Sequence, residues 1–586
     1  MDDQVRSKLI YEEHPNYEKP PLVPLPEEQD VKQLKDLNLT SNVLIQTLVR
    51  FVLKISGFLK FYRQLKNNPE HYLKHTDMRS RALFFPVVSA TLALEDDPQK
   101  TTLIDRTTSL IMACRSLYED IHQGRLSQDR WQGRPLEMGQ YFNFFSTNIT
   151  IGPNGAEIYK SAKDDKILIL IRNHFFLLEI KNWQDPDLAQ KLKVTLHHLL
   201  NLELENGVPV GLLSAPSASI QLKIFRELKK HPENTRNLDS LKHVFVTICL
   251  EPDQLPETTE QTFLWAHRQF ANRWWFSSLQ LVVFGNGRSC AIGNFSTYLD
   301  GNVMMRGTSE IQSRAAQLKM PLQAKTSLAM LPLKKLNWRV SDALIRLAKR
   351  DLDNIKDQEQ PATFTIHSPG RNFFKEKEIS GVASFVIALQ MTLRQILNKQ
   401  VSIHQFVSLA QYRYMDLATA VVSTNEVKQF SEQFLQNYLY TKENFELFLK
   451  AIDSQKAAIN KARSQLAFSD ILTLFFLNGS TFKRIWAQTF ITSLLRLLKK
   501  LHLLNLEQRE VLISHPGIYP NVPLVGRPGI RLPYVTYMGL HYQVWPEKIV
   551  FTFMPGLNWQ IPNEKISQLL ETNLVKIKKL IEQNVD

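Results

Sequence analysis

Short apolar runs stand out along the middle of the chain, dense in Val, Ile, Leu and Phe and with little polar alternation. They cover residues 167–171, 174–180, 244–250 and 279–284. Runs of this length and composition are typical of strands in a sheet that is covered on both faces. The dipeptide Arg172-Asn173 separates the first two runs, and the turn signal Gly285-Asn286-Gly287 follows the last.

Longer segments show the periodicity of amphipathic helices: residues 41–67, 107–123, 341–355 and 563–583. The first of these has an apolar stripe and a basic side with Arg50, Lys54, Lys60 and Arg63. It fits a helix packed on a protein core, and as the alternative a helix that lies on a membrane surface.

Residues 537–555 predict a β-hairpin, with two β-rich runs joined at Pro546-Glu547-Lys548. Because strand candidates alternate with helix candidates along the chain, the pattern indicates the α/β class.

Composition places the chain among ordinary globular proteins. It has 586 residues, of which 44% are hydrophobic and 22% charged, so more than one core is expected. The cysteines, Cys114, Cys249 and Cys290, are too few for a disulfide framework and have no metal-ligand spacing. We therefore expect a reduced intracellular setting and no metal site.

The net charge of +14 favours an anionic partner, such as a nucleotide phosphate or an acidic membrane surface. The basic residues are scattered and match no nucleic-acid motif, which argues against nucleic acid. The first ten residues contain two acids and no apolar core of a signal peptide, and no apolar run approaches the length of a spanning helix. These features predict a soluble, cytoplasmic protein.

Residues 272–301 contain the most informative motif. Asn272-Arg273-Trp274 opens the segment, Asn286-Gly287 follows the apolar run, and Asp300-Gly301 closes it. This frame resembles the active-site segment of the choline/carnitine O-acyltransferase family, which reads N-R-W, then N-G, E-H-S and D-G. That family transfers acyl groups between coenzyme A and a hydroxyl acceptor, and its histidine is the general base.

The histidine of the family is absent from this frame. Counted from Asn286-Gly287, Phe295 occupies its position and Asn294 the position of the preceding glutamate. Between Ser296 and Asp300 this chain has one residue more than the family pattern. Counted back from Asp300, Ser296 is therefore the second candidate for the histidine position. Neither side chain is competent as a general base. Phe295 either fills a core or marks an active site whose base has moved.

Further matches extend over most of the chain, from a proline-rich run at residues 20–26 to the C-terminal helix. Residues 370–390 resemble the family segment that holds the phosphates of coenzyme A. The match assigns cofactor binding to four residues: Arg371, Lys375, Lys377 and Ser380. Glu378 stands where the family has a further lysine, so only part of the phosphate site is expected.

The acceptor elements of the family are not retained. In the register of residues 404–417, the family arginine that binds the acceptor carboxylate has no counterpart, so neither carnitine nor choline is supported as the substrate. The serine-rich oxyanion strand has its nearest register at Ser514-His515. His515 is the one replacement base that this register names, and Ser514 falls at an oxyanion position.

The resemblance implies two pseudo-equivalent domains similar to chloramphenicol acetyltransferase, each of mixed sheet and helices, with the active site in a tunnel between them. The first is expected to contain residues 90–335, and the second residues 18–89 and 336–586. Residues 1–17 form a polar N-terminal arm.

Three functions fit these observations. The first is a binding or regulatory pseudoenzyme with a degenerate active site. The second is an active acyltransferase with a relocated base and an unusual acceptor, and the third is an interaction protein that binds an anionic surface. We expect a monomer without a tightly bound cofactor, for which coenzyme A or acyl-CoA is a candidate ligand. A hydroxyl acceptor of unknown identity, a protein partner and a peripheral membrane contact are the other candidate partners.

Overall fold

The protein is built on two large mixed β-sheets with helices packed against them. The structure is a computed structural model and describes residues 14–33, 43–75, 86–152, 155–319, 328–356, 362–415, 417–478, 509–515, 522–533 and 535–585. Most of the N-terminal arm that the sequence predicts therefore lies outside the described residues.

The strands of the described chain are β1 Ala90–Ala93, β2 Arg130–Trp131, β3 Arg134–Pro135, β4 Thr147–Gly152, β5 Gly155–Lys160, β6 Lys166–Ile171, β7 His174–Glu179, β8 Val244–Glu251, β9 Leu279–Phe284, β10 Ser289–Gly293, β11 Leu333–Leu336, β12 Thr363–Ile366, β13 Ile403–Ser408, β14 Leu417–Val421, β15 Arg509–Ser514, β16 Val525–Gly526, β17 Val535–Val544 and β18 Ile549–Pro555.

The helices are α1 Glu28–Gln33, α2 Val43–Ile55, α3 Phe58–Asn67, α4 Pro69–His75, α5 Leu103–His122, α6 Leu188–Leu200, α7 Ala218–Leu228, α8 Pro232–Leu241, α9 Thr259–Arg268, α10 Gly301–Gln317, α11 Asp342–Asp353, α12 Arg371–Glu376, α13 Gly381–Leu397, α14 Asn425–Asn437, α15 Lys442–Ser464, α16 Phe468–Leu477 and α17 Asn563–Glu582.

The first large sheet has eight strands in the order β11-β7-β6-β8-β9-β10-β1-β16. Strand β8 runs parallel to both β6 and β9, and every residue of β8 and β9 is buried. Alternate residues of β6 enter different cores: Ile167 and Ile169 pack with α5 and α6, whereas Leu168 and Leu170 pack with α7 and α9. The sheet is therefore covered on both faces, which explains and confirms the prediction from its unbroken apolar runs.

The second large sheet has six strands in the order β12-β18-β17-β15-β13-β14. Strands β17 and β18 form the antiparallel hairpin that the sequence predicts. Strand β15 runs parallel to β13 on one side and to β17 on the other. Helices α13 and α17 cover one face of this sheet, and α2 and α3 belong to the same core.

Strand β16 connects the two sheets. In the chain it lies between β15 and β17 of the second sheet, yet it pairs with β1 at the edge of the first. This short crossing brings the two sheets together along one edge. The division of the chain into two pseudo-equivalent domains at the stated boundaries stays a prediction.

The segment 41–67 departs from its prediction as one helix. Gly57 has a φ of 87°, a left-handed conformation that glycine adopts without steric cost, and it separates α2 from α3. Val49, Leu53 and Phe61 are fully buried. Helices α2 and α3 therefore pack on a protein core, which agrees with the first of the two interpretations of this segment. No helix of the described ranges has both the length and the apolar character that crossing a bilayer requires.

Candidate active site

A cavity of about 390 Å³ lies between the two large sheets. One wall comes from β1, β16 and the residues after β10, and the other from β13, β15, β17 and β18. Most of the lining is apolar, as in pockets that enclose small organic ligands. The apolar side chains include Leu92, Met304, Met305, Leu417, Val525 and Met554.

Phe295 lies on the wall of this cavity, directly after the β9–β10 hairpin. Its ring faces the guanidinium group of Arg527, which lies 4.9 Å from the ring centroid. Ser296 is half-buried and is not among the residues that line the cavity. Of the two candidates for the histidine position, the structure therefore places Phe295 at the cavity, with an arginine beside it.

Asn294 and Asp300 hold the backbone on either side of Phe295. Asn294 accepts a hydrogen bond from the Ser296 amide (2.9 Å) and donates one to the Trp275 carbonyl (2.8 Å). Asp300 accepts from the Val303 amide (2.9 Å) and so caps the N-terminus of α10. Both contacts position the chain on either side of Phe295, and neither side chain is among the described residues that line the cavity.

Ser514 and His541 form a hydrogen-bonded pair on the opposite wall. They are neighbours on the parallel strands β15 and β17, and Ser514 Oγ lies 2.8 Å from His541 Nδ1. The Nε2 atom of His541 is buried and has no hydrogen-bond partner among the described residues. Sequence reasoning missed His541, because the pair exists only through the pairing of β15 with β17.

His515 also lines the cavity and packs at 5.2 Å from the ring of Tyr542. Burial lowers the pKa of His515 to about 4, and the charge of Arg371 contributes in the same direction. Burial lowers the pKa of His541 to about 3, and repulsion from Arg527 and, in acid, from protonated His515 acts in the same direction. Both imidazoles are therefore neutral at pH 7, and each has one ring nitrogen that can accept a proton.

The buried histidines should make the protein sensitive to acid. His541 and His267 both have a pKa of about 3 in the fold, against an ordinary value near 6.5. Between these values the unfolded chain binds more protons than the folded one, so the stability falls as the pH falls. We expect the free energy of unfolding to drop by about 2 kcal/mol per buried histidine between pH 7 and pH 5.

Urea denaturation at both pH values measures this effect. In His541→Gln the loss of unfolding free energy between pH 7 and pH 5 should be smaller by about the contribution of one histidine. Glutamine keeps a polar side chain but does not titrate. Identical pH dependence in the variant and the parent protein would contradict the depressed pKa of His541.

The basic segment around α12 lies next to the cavity. Arg371 and Lys375 are exposed and form no ion pair with any described residue. Lys377 donates to the Val585 carbonyl (3.3 Å), and Ser380 caps α13 by accepting from the Ala383 amide (3.2 Å). Since the charge of Arg371 is felt by His515, this segment forms a cationic border to the cavity.

A comparison with models of protein families identifies the family of this chain. The model of the family described as Choline/Carnitine o-acyltransferase matches residues 60–484, well over half of the sequence. The chain belongs to the choline/carnitine O-acyltransferase family. The resemblance read from residues 272–301 is thereby confirmed, and with it the α/β class of two sheets with the cavity between them.

The curated relatives of this acyltransferase-family protein are distant. Carnitine O-palmitoyltransferase 2, mitochondrial, from Homo sapiens is 23% identical over 311 residues, which are 52% of this chain and 47% of the relative. Carnitine O-acetyltransferase from Columba livia is 23% identical over 351 residues, 56% of this chain and 55% of the relative. The chain thus spans about half the length of the curated relatives it matches.

Solved structures show more remote similarity. The epimerization domain from the third module of tyrocidine synthetase B is 10% identical, with a TM-score of 0.31, and the alignment covers 58% of this chain and 79% of that chain. The first condensation domain of the CDA synthetase is 12% identical, with a TM-score of 0.30, over 58% of this chain and 76% of that chain.

The N-R-W motif of this family member has a scaffolding role. The side chain of Arg273 is fully buried and donates to Glu251 (2.5 Å) at the end of β8 and to the Ala266 carbonyl (2.8 Å) in α9. Asn272 donates to the same carboxylate (3.1 Å). These contacts join β8, α9 and the start of the β9 segment, and so support the hairpin that ends at Phe295.

Proposed function

We propose that this protein transfers an acyl group between a coenzyme A thioester and a hydroxyl acceptor, with the Ser514–His541 pair as the proton acceptor in place of the family histidine. The observation that carries the proposal is the 2.8 Å contact between Ser514 Oγ and His541 Nδ1 on the wall of a cavity. Phe295, at the family position, is unable to accept a proton. His541 is neutral at pH 7 and has one ring nitrogen without a proton, and its low pKa has to rise when the substrates bind for it to act as an efficient base.

The chemistry needs one proton transfer and one bond exchange. The acceptor hydroxyl attacks the thioester carbonyl carbon while its proton moves to the Ser514–His541 pair. The carbon–sulfur bond then breaks, and the thiolate of coenzyme A leaves and takes the proton back. The reverse reaction begins with the thiol and uses the same pair as the base. From its register with the oxyanion strand of the family, Ser514 is proposed to donate its hydroxyl proton to the developing oxyanion while His541 Nδ1–H donates to Ser514 Oγ.

Arg371, Lys375, Lys377 and Ser380 are proposed to hold the phosphates of coenzyme A. The support is the family segment together with the two exposed cations beside the cavity. Arginine and lysine suit phosphate as a forked and a mobile cation respectively. Glu378 repels phosphate, so we expect micromolar or weaker binding.

A thiol-release assay with short- and long-chain acyl-CoAs tests the proposal. The acceptors should include carnitine, choline, and a series of neutral and anionic hydroxyl compounds. We expect release to depend on the enzyme with members of the series and to equal the heat-denatured control with carnitine and choline. No enzyme-dependent release with any acceptor would contradict acyl transfer.

A binding protein without turnover is the second candidate function, favoured by Phe295 at the family base position and by the low pKa of both cavity histidines. Calorimetry with coenzyme A separates it from the first. Binding that weakens with Lys375→Ala, in a protein that releases no thiol, would support this pseudoenzyme. Lys456→Ala, which removes a lysine from an exposed pair with Asp453 on α15, is the matched control.

A further inference from the structure

The charged residues of the cavity all have the same sign. Among the described lining residues there are two arginines, Arg463 and Arg527, and no aspartate or glutamate. The two histidines beside them are neutral at pH 7. A cationic group on a ligand would meet repulsion here, whereas an anionic group would meet uncompensated positive charge.

Arg527 is partly buried, and like Arg463 it differs from the three buried arginines of the described chain, which all have a carboxylate partner. Arg106 pairs with Asp97, Arg273 with Glu251, and Arg306 with Asp129. Arg527 forms no ion pair with a described residue, and its buried Nε atom has no hydrogen-bond partner there. Withdrawing a cation from water without a counter-ion costs free energy. This arrangement points to an anionic group on the ligand as the counter-ion of Arg527.

Aromatic rings hold both guanidinium groups without using their N–H donors. Arg527 lies over Phe295 at 4.9 Å and Arg463 over Trp131 at 4.8 Å. A cation–π contact uses the charge of the guanidinium and not its N–H groups, so these donors stay available for a carboxylate or phosphate. Phe295 therefore acts as a platform for Arg527.

We infer that the ligand of this cavity carries an anionic group, of carboxylate or phosphate type, that pairs with Arg527, and that it carries no cationic group. This inference rests on the proposed function only in naming that ligand as the hydroxyl acceptor. The apolar lining assigns the rest of the molecule to a hydrocarbon body. The charge of Arg527 contributes to the low pKa of His541. An anion bound at Arg527 would offset that charge and raise the pKa, so the acceptor would make His541 a stronger base.

Calorimetric titration of the full chain with 3-hydroxyoctanoate and its neutral amide, 3-hydroxyoctanamide, tests the inference. We expect the acid to bind about 10- to 100-fold more tightly than the amide, because the Arg527 contact is charge-assisted. 1-Octyl phosphate, measured in parallel, shows whether carboxylate or phosphate is the preferred anion. Equal binding of acid and amide, or no binding of any of the three at millimolar concentration, would overturn the inference.

Variants locate the anion. Arg527→Gln should abolish the preference for the acid, and Arg527→Lys should retain part of it and show that the charge, and not an altered fold, decides. The matched control is Arg531→Gln, since Arg531 belongs to the same segment, donates to the Leu557 carbonyl (3.4 Å) and does not line the cavity. Loss of the preference in Arg463→Gln but not in Arg527→Gln would overturn the assignment to Arg527.

Because the readout is binding, the result does not depend on turnover. Selective binding of the acid without thiol release would contradict the proposed reaction and leave the anion site standing. Thiol release with neutral acceptors alone would overturn the anion site and leave the reaction standing.

Discussion

Replacing His541 with alanine should lower kcat/KM for acyl transfer by about 10²–10⁴-fold, the usual contribution of a general base. In the pair with Ser514, the imidazole of His541 bonds a hydroxyl on the cavity wall (2.8 Å). The thiol-release assay measures the loss with whichever acceptor is turned over by the parent protein.

Two further variants separate chemistry from folding. His541→Gln keeps a polar partner for Ser514 but accepts no proton, so it should be as inactive as His541→Ala while unfolding close to the parent midpoint. His174→Ala changes a histidine of the β6–β7 hairpin, far from the cavity lining, and should leave the rate unchanged. If His515→Ala removes turnover and His541→Ala does not, the base is His515 and the present assignment is wrong.

Replacing Arg273 with methionine should destabilise the protein by about 3–5 kcal/mol, because it leaves a buried carboxylate without its cation. The Arg273 side chain is 0% exposed and that of Glu251 10% exposed. The change also removes the donor to the Ala266 carbonyl. Urea denaturation of the parent protein and the variant measures the difference.

A surface pair provides the control for this second prediction. Arg339 pairs with Glu233 at 3.5 Å, but its side chain is 71% exposed, so Arg339→Met should cost less than about 1 kcal/mol. Adding Glu251→Gln to Arg273→Met should restore part of the stability, since the unpaired charge is then gone. Equal effects at the exposed and buried positions would show that the motif Asn272-Arg273-Trp274 does not support the scaffold in the way the contacts indicate.

The strands and the family were available from the sequence because both depend on local pattern. Runs such as 244–250 are apolar on both faces, and only a central strand buries both faces at once. The motif at Asn272-Arg273-Trp274 and the spacing to Asp300 identified the family without any contact being known. The same frame placed Phe295 at the position of the base, and the structure puts Phe295 on the cavity wall.

Other features depend on contacts between distant parts of the chain, which no local pattern encodes. Ser514 and His541 become neighbours because β15 pairs in parallel with β17, and the sequence predicts the hairpin that contains β17 but not its pairing with β15. Arg527 reaches Phe295 because β16 leaves the second half of the chain and pairs with β1. The sequence alone therefore shows that the family histidine is absent. Which residues surround its position is decided by strand pairing, which depends on the packing of the whole molecule.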